Sequence, residues 1–374
     1  MIKSYHAEAS AQGAPEQLET QELNLETGNH GSVLYPSVIG TGHARPSRTV
    51  ENAELSQYME TDDAWIRSRT GIERRNVSED EDVSELSVRA ARMAIADAGI
   101  NKEEIGLIVC ATISADCNTP SAACLIQEAL GLNGLPVMAF DVNAACSGFM
   151  FALRTADSLM QTGDFGYALV IGAENLTKYV DWSDRNTAII FADGAGAVIL
   201  DSCADQPMLH YSRTKGDTDG VIRCKARKPQ KFGHTDIDGY DEPGYIRMKG
   251  REVFRFAVAA MQEAVEALLD QSDFSLEDID WIIPHQANKR IIDHVARKMK
   301  IPEDKVVVNI QNWGNTSAAS IPIALSELRQ QGKLEPGMKI ILTGFGAGFT
   351  WGGALVEYKG NRNPAADAVV NKGL

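Results

Sequence analysis

Two rhythms of hydrophobic and polar positions run through the chain. Unbroken apolar runs such as Ile105 to Thr112 and Tyr167 to Gly172 have the length and content of buried strands. By contrast, Asp82 to Ala98 and Val253 to Leu269 repeat apolar residues at the three-to-four spacing of one helix face. Taken in order, the pattern predicts a strand over Ser32 to Ile39, a short helix over Glu51 to Met59, and a helix opened by a Thr61-Asp62 cap. Beyond Thr112 it predicts a helix over Ser121 to Leu130, a strand ending at Val142, and a helix burying Ala152, Leu153, Ala156, Leu159 and Met160. Ala188 to Asp201 reads as two strands around a Gly turn.

The second half repeats this order. The strand Ile279 to Ile283, the strand Val306 to Ile310, the helix Ser317 to Gln330 and the strand Lys339 to Leu342 follow the sequence of elements seen upstream. Gly346-Ala347-Gly348 before Ala354-Leu355-Val356 echoes Gly194-Ala195-Gly196 before Ala197-Val198-Ile199. A repeat of about 150 residues is too long for a solenoid and implies an α/β fold of two duplicated halves packed as a pair. The expected divisions are a flexible polar extension over 1–31, an N-terminal half over 32–205, a C-terminal half over 206–360 and a tail over 361–374.

Composition narrows the function. At 374 residues the chain can bury a large core, and with no apolar run near eighteen residues and no signal-peptide h-region, a cytoplasmic protein without membrane contact is expected. A formal charge of −15 argues against nucleic acid as a partner, while leaving room for a local basic patch. The six cysteines form no CxxC pair and have no histidine at ligand spacing, so no metal site and a reducing compartment are expected. Both Gly-rich stretches run into strands rather than helices, the wrong context for holding a dinucleotide, so no cofactor is expected and tight turns presenting backbone N–H groups are.

Chemistry concentrates at three places. Cys146 lies where a strand turns into a helix, and the N–H groups and dipole there favour a thiolate, though a lone cysteine is more often a small buried apolar residue. Of the seven histidines, only His285 follows a buried strand and precedes polar Gln286 and Asn288 on a turn. Alone it is as readily structural as catalytic. Asn315, in Gly314-Asn315-Thr316-Ser317, belongs to the repeat segment that matches the Cys146 helix start. A pseudo-twofold would then bring a thiol, an imidazole and a carboxamide to one crevice.

Four stretches in register, AACSGF around Cys146, PHQAN around His285, GNTSAAS around Asn315 and FGAGFTWG at 345–352, resemble β-ketoacyl-acyl-carrier-protein synthase III. The likeness runs from about residue 33 to 358 and leaves the Lys225 to Asp241 segment without a counterpart or role. It implies a thiolase fold, five layers in the order αβαβα, usually as a homodimer, and a Cys146-His285-Asn315 catalytic set. It also implies an acyl-CoA primer and malonyl-acyl-carrier protein as substrates, with an oxyanion hole formed by the N–H groups of Cys146 and Ala347. Alanine at 347, where the family often has glycine, would cost about 1 kcal/mol if positive φ were needed.

By family position, Trp65, Arg69, Arg185 and Asn288 would bind CoA, and Thr119 and Phe345 would line the acyl pocket. Gln286, Ala287, Asn288, Lys289 and Arg290, with Arg255, Arg297 and Lys298, would dock the carrier protein. Thr119 replaces a phenylalanine that narrows the pocket across the dimer in acetyl-specific relatives, so primers longer than acetyl are expected. Two alternatives stand beside this reading: a relative that primes polyketide, quinolone or hydrocarbon synthesis or transfers acyl groups, and a non-catalytic partner subunit, which typically lacks the nucleophile.

Overall fold

The computed structural model describes residues 34–226 and 244–361. The first half contains β1 (Tyr35–Ala44), β2 (Arg48–Glu51), α1 (Asp63–Thr70), β3 (Arg74–Val77), α2 (Val83–Ala98), β4 (Ile105–Ala111) and α3 (Ala122–Ala129). It continues through β5 (Met138–Val142), α4 (Gly148–Met160), β6 (Tyr167–Asn175), α5 (Arg185–Ala188) and β7 (Asp193–Ala204). The second half begins with β8 (Leu209–Thr214), β9 (Ile222–Cys224), β10 (Ile246–Met248), α6 (Gly250–Asp270), β11 (Trp281–Pro284) and α7 (Lys289–Met299). It ends with α8 (Ile310–Trp313), α9 (Ser320–Gln330), β12 (Lys339–Gly346) and β13 (Thr350–Glu357).

Two sheets carry the halves. One has the order β1-β7-β6-β4-β5 and the other β11-β12-β13-β8. Between them lie α4 and α9, whose Phe149, Leu153, Ile321 and Leu325 join inner-face residues of both sheets in one core cluster. The outer face of the first sheet packs against α2 and α3, and that of the second against α6 and the end of α7. Helix, sheet, helix, sheet, helix is thus the order of layers. The location explains α9, which is buried nearly all round, Ser320 and Ser326 included; a helix sealed on both sides has no solvent face to reserve for charge.

Local chemistry sets the ends of these elements. Asp82 and Glu85 form a capping box on α2, Ser121 caps α3 by accepting from Cys124 N, and Asp62 caps α1 by accepting from Trp65 N. Helix α2 stops at Gly99, whose φ of 65° suits a residue without Cβ.

Two sequence expectations are corrected. Gly194 and Gly196 lie inside β7, which is one strand of the first sheet rather than two around a turn. They admit the neighbouring helix instead: a Cβ on Gly196 would stand 2.6 Å from Ile323 N and 2.8 Å from Pro322 C on α9. Secondly, Val306 to Ile310 is not a strand. Val306 makes a single bridge to Ile282, after which the Gln286 side chain takes over, donating to the Val307 carbonyl at 3.1 Å and accepting from Asn309 N at 3.1 Å. A side-chain amide that satisfies both groups removes the need for a ladder. The expected 1–31 extension, and nearly all of the Lys225 to Asp241 segment and of the 361–374 tail, lie outside the described residues.

Candidate active site

Cys146 sits in a 3-10 turn, Ala145–Ser147, that runs directly into α4. The residue before it, Ala145, has φ 48°, a rare conformation for a side chain with Cβ. The other half repeats the feature: Ser317, at φ 49°, opens the 3-10 turn Ser317–Ala319 that leads into α9. Ser317 therefore corresponds to Ala145, and Ala318 to Cys146. Where the helix starts meet, Gly148 faces Ala318, an added Cβ standing 3.5 Å from the Ala318 Cβ.

The three expected groups share these neighbours. The Ser317 hydroxyl lies beside the Cys146 side chain, where it favours the thiolate, and Ser317 N donates to Asn315 Oδ1 at 2.9 Å. That bond fixes the amide of Asn315, leaving its NH2 as the free end. The backbone of Asn315 is held too, with N donating to the Ile190 carbonyl and O accepting from Ala192 N. On the far side, strand β12 ends in Phe345, whose ring meets that of His285 at 5.3 Å, and in Gly346, where a Cβ would stand 2.7 Å from Cys146 N. Only a residue without a side chain lets the strand reach the cysteine backbone so closely.

His285 is 1% exposed. Its Nδ1 is 2.7 Å from Ser320 Oγ, which also accepts from Gln286 N at 3.3 Å. Nε2 is buried with no protein partner, and it carries the ring hydrogen when the serine hydroxyl donates to Nδ1. Burial lowers the imidazole to about 3, so it is neutral at any ordinary pH.

The cysteine departs from expectation. Burial raises the Cys146 thiol from its ordinary value near 9 to about 12, opposed by the Ser317 hydrogen bond and assisted by the nearby Glu174 carboxylate. A helix terminus contributes at most about 2 kcal/mol, roughly a thirtyfold effect. Desolvation therefore outweighs the dipole, and the resting group is a thiol.

Glu174, which no sequence motif marks, is fully buried at the end of β6. It accepts from Thr112 Oγ1 at 3.3 Å, Ile113 N at 3.1 Å and Ser317 Oγ at 3.1 Å, and from the Ser114 hydroxyl. Burial raises it to about 7.

Ala347 follows Gly346 in the turn between β12 and β13, with its carbonyl accepting from Thr350 Oγ1 at 3.0 Å. Positive φ falls on Gly348 at 141°, so the alanine carries none of the strain that such a conformation would impose on it.

A second cluster forms around Trp65. The guanidinium of Arg185 lies 4.9 Å from the Trp65 ring centre and that of Arg69 at 5.8 Å. Asn288 joins them: its Nδ2 donates to the Arg69 carbonyl at 3.0 Å, while its Oδ1 caps α7 by accepting from Arg290 N at 2.9 Å.

The expected docking segment divides. Gln286 is 1% exposed and Ala287 9%, so neither offers a side chain to an external partner, because the Gln286 amide is committed to residues 307 and 309. Lys289, Arg290, Arg297 and Lys298 are exposed on α7, although Lys289 is paired with Asp293 at 2.7 Å. Arg255 is exposed on α6, and a Phe254–His294 ring contact ties that helix to α7. Thr119 is exposed on the loop before α3 and meets none of these groups within its own chain, whereas Phe345 is buried beside His285.

Comparison with known proteins agrees with this geometry. A family model described as 3-oxoacyl-[acyl-carrier-protein (ACP)] synthase III matches residues 140–220, and its C-terminal counterpart matches 269–358. The β-ketoacyl-[acyl-carrier-protein] synthase III of Clostridium perfringens is 45% identical over 325 residues, covering 86% of this chain and 98% of its own. This chain belongs to the synthase III family. A synthase III from Hyphomonas neptunium is also 45% identical, over 85% of this chain and 97% of its own. The synthase III crystal structure from Aquifex aeolicus, 41% identical, superposes with a TM-score of 0.79 over 86% of this chain and 100% of that one. The priming β-ketosynthase of the R1128 polyketide pathway gives the same TM-score at 31% identity, over 89% of this chain and 99% of its own. The five layers are thus the thiolase fold of synthase III, and the chain is an acyltransferase, a condensing enzyme of fatty-acid synthesis.

Among the described residues no helix is long and apolar enough to cross a membrane, and no group of three or more His, Cys, Asp and Glu is placed to hold a metal ion.

Proposed function

We propose that this synthase III joins an acyl-CoA primer to malonyl-acyl-carrier protein by decarboxylative Claisen condensation, through an acyl group carried on Cys146. The observation that carries the reading is a neutral imidazole whose buried Nε2 has no protein partner, set against the strand end that also touches the cysteine backbone. In the first half-reaction the Cys146 sulfur attacks the primer thioester and CoA leaves. Charge on the carbonyl oxygen would be met by the N–H groups of Cys146 and Ala347, a reading supported by the close approach of Gly346, the residue before Ala347, to Cys146 N. In the second, malonyl thioester loses CO2. His285 Nε2 and Asn315 Nδ2 donate to its thioester oxygen as negative charge gathers there, and the resulting enolate carbon attacks the acyl group. A neutral donor suits this step, because an imidazole that was already charged would be far costlier to hold in so dry a place.

Trp65 and Arg185 would hold the CoA adenine by stacking, with Arg69 beside its phosphates and Asn288 on the pantetheine path. Arg290, Arg297, Lys298 and Arg255 form the surface proposed for an acidic carrier protein. A homodimer would form along the open edge of β5, where Met138 is 47% exposed, and would bring Thr119 of one subunit to the acyl pocket of the other. Threonine there leaves room for primers longer than acetyl. The stronger identity to fatty-acid synthases III, 45% against 31% for the polyketide priming enzyme, favours the fatty-acid reading.

Peptide mass mapping after incubation with acetyl-, hexanoyl- and octanoyl-CoA tests the core of this proposal. The Cys146 peptide is expected to gain each acyl group, and label from acetyl-CoA alone would refute the wider pocket. No label from any donor would remove the acyl-Cys146 mechanism.

A further inference from the structure

We infer that Glu174 takes up the Cys146 proton, through the Ser317 hydroxyl, for as long as the sulfur carries the acyl group; the inference rests on the acyl-Cys146 reading.

The geometry imposes a choice on Ser317. Its hydroxyl donates to Glu174 Oε1 at 3.1 Å and stands beside the Cys146 side chain, whose thiolate form it favours, but a hydroxyl has one hydrogen to give. With Glu174 ionised, that hydrogen points to Oε1, and the thiol donates to the serine oxygen. With Glu174 protonated on Oε1, the carboxyl donates to the serine, and the serine hydrogen turns to the sulfur. Passing between these states breaks S–H and forms O–H on Ser317, while the former Ser317 O–H breaks and Oε1–H forms. The sulfur keeps its electron pair for attack on the thioester. The other carboxylate oxygen, Oε2, stays anchored throughout by Ile113 N and by the Thr112 and Ser114 hydroxyls.

Three physical points favour this route. The pair carries one negative charge before and after the exchange, so no second charge is created beside the buried carboxyl. His285 is a far weaker base, lowered to about 3, whereas burial brings Glu174 to about 7, near the pH at which such an acceptor works best. Finally, once Cys146 is acylated, Glu174 is uncharged, and no anion lies behind the sulfur when the enolate arrives. Because the thiol is raised to about 12, transfer runs together with attack rather than ahead of it.

CoA departs as a thiolate and takes its proton from solvent. In the condensation a carbon–carbon bond forms and the bond from carbon to Cys146 sulfur breaks. The sulfur then leaves with its electron pair and recovers the proton from Glu174 by the reverse exchange. Other titratable groups about Glu174 are Cys110 on β4, Tyr179, and Lys178, whose Nζ donates to the Ser114 carbonyl at 2.6 Å.

The test follows Cys146 by two readouts across pH 5 to 9.5, alkylation with iodoacetamide and single-turnover acyl transfer from octanoyl-CoA, or from acetyl-CoA should that prove the only donor. In the wild type both are expected to rise through the Glu174 titration near 7 and then level off, before the thiol's own titration. In Glu174→Gln and in Ser317→Ala the plateau is lost, rates climb with pH throughout, and acyl transfer at pH 7.5 falls about 100-fold with the KM for acyl-CoA unchanged. A wild-type pH curve in either folded variant overturns the inference. If Glu174→Gln fails to fold, Ser317→Ala decides, since it leaves the carboxylate and its Oε2 partners in place. An unlabelled wild type would sink the acyl-Cys146 reading and this inference with it, whereas a labelled wild type with unchanged variant profiles would overturn the inference alone.

Discussion

At the scale of the residue, the site is governed by burial. His285 and Asn315 have each been given one fixed end, at Ser320 Oγ and at Ser317 N, and one side-chain nitrogen without a protein partner. Replacing either with alanine is therefore expected to lower malonyl decarboxylation at least 100-fold while acylation of Cys146 continues, as measured by CO2 release and by intact mass. With His285 held near 3, the decarboxylation rate should show no histidine inflection between pH 5 and 8. The same depression has a cost in acid. Below about 6.5 the unfolded chain takes up a proton that the folded chain refuses until near 3, so stability falls as pH drops through that window. Cys146, His285 and Asn315 are legible in the sequence because each sits among small or polar residues at a turn, the first two where a strand ends and Asn315 just after the short helix α8. Ser317 and Glu174 are not. Nothing in Gly172-Ala173-Glu174-Asn175 announces that the carboxyl is buried or that it faces a turn 143 residues away. The thiol's upward shift is equally hidden, since desolvation is a property of surroundings and not of neighbours in the chain.

Elements are legible where their signals are local. Helix α2, with its capping box and its terminal glycine, lies within a residue of its expected span. Expectation fails where a distant group decides the outcome: the 306–310 segment yields to the Gln286 side chain, and β7 keeps its glycines for a helix that arrives from the other half. Gly196→Ala tests the latter point. Its Cβ would meet α9 backbone at 2.6 to 2.8 Å, so urea unfolding should show a loss of about 2–3 kcal/mol, and activity should fall because α9 carries Ser320. Helix α7 invites a different experiment. Arg290 is exposed one residue after the first residue of α7, whose cap is Asn288, and Arg290→Glu is expected to raise the KM for the malonyl-carrier substrate several-fold and leave that for acyl-CoA unchanged. The difference should shrink in 0.5 M salt, roughly the range where screening is nearly complete, and equal effects on both substrates would exclude docking there.

For the whole molecule, the duplication is visible as a repeated order of elements, and two sheets enclosing a pair of central helices follow from it. What repetition cannot convey is how unequally the halves end: among the described residues one sheet has five strands and leaves β5 unpaired on one side, while the other has four and carries the 306–310 segment along β11. An open edge bearing an exposed methionine calls for a partner strand. Sedimentation should therefore give a dimer, and Met138→Lys should weaken it and lower octanoyl transfer together, since Thr119 would no longer reach its neighbour's pocket. A stable, active monomer would disprove that arrangement.

The matched turns at Ala145 and Ser317 have a last implication. Two copies of one structural device, inherited together, have taken on different roles. In the proposed mechanism Cys146 receives the acyl group, whereas its twin position, Ala318, has no reactive side chain and Ser317 beside it would serve the sulfur. Division of labour between once-equal halves means that neither could be kept without the other, and evolution of a new substrate range must proceed by altering the approaches to the site and not its floor.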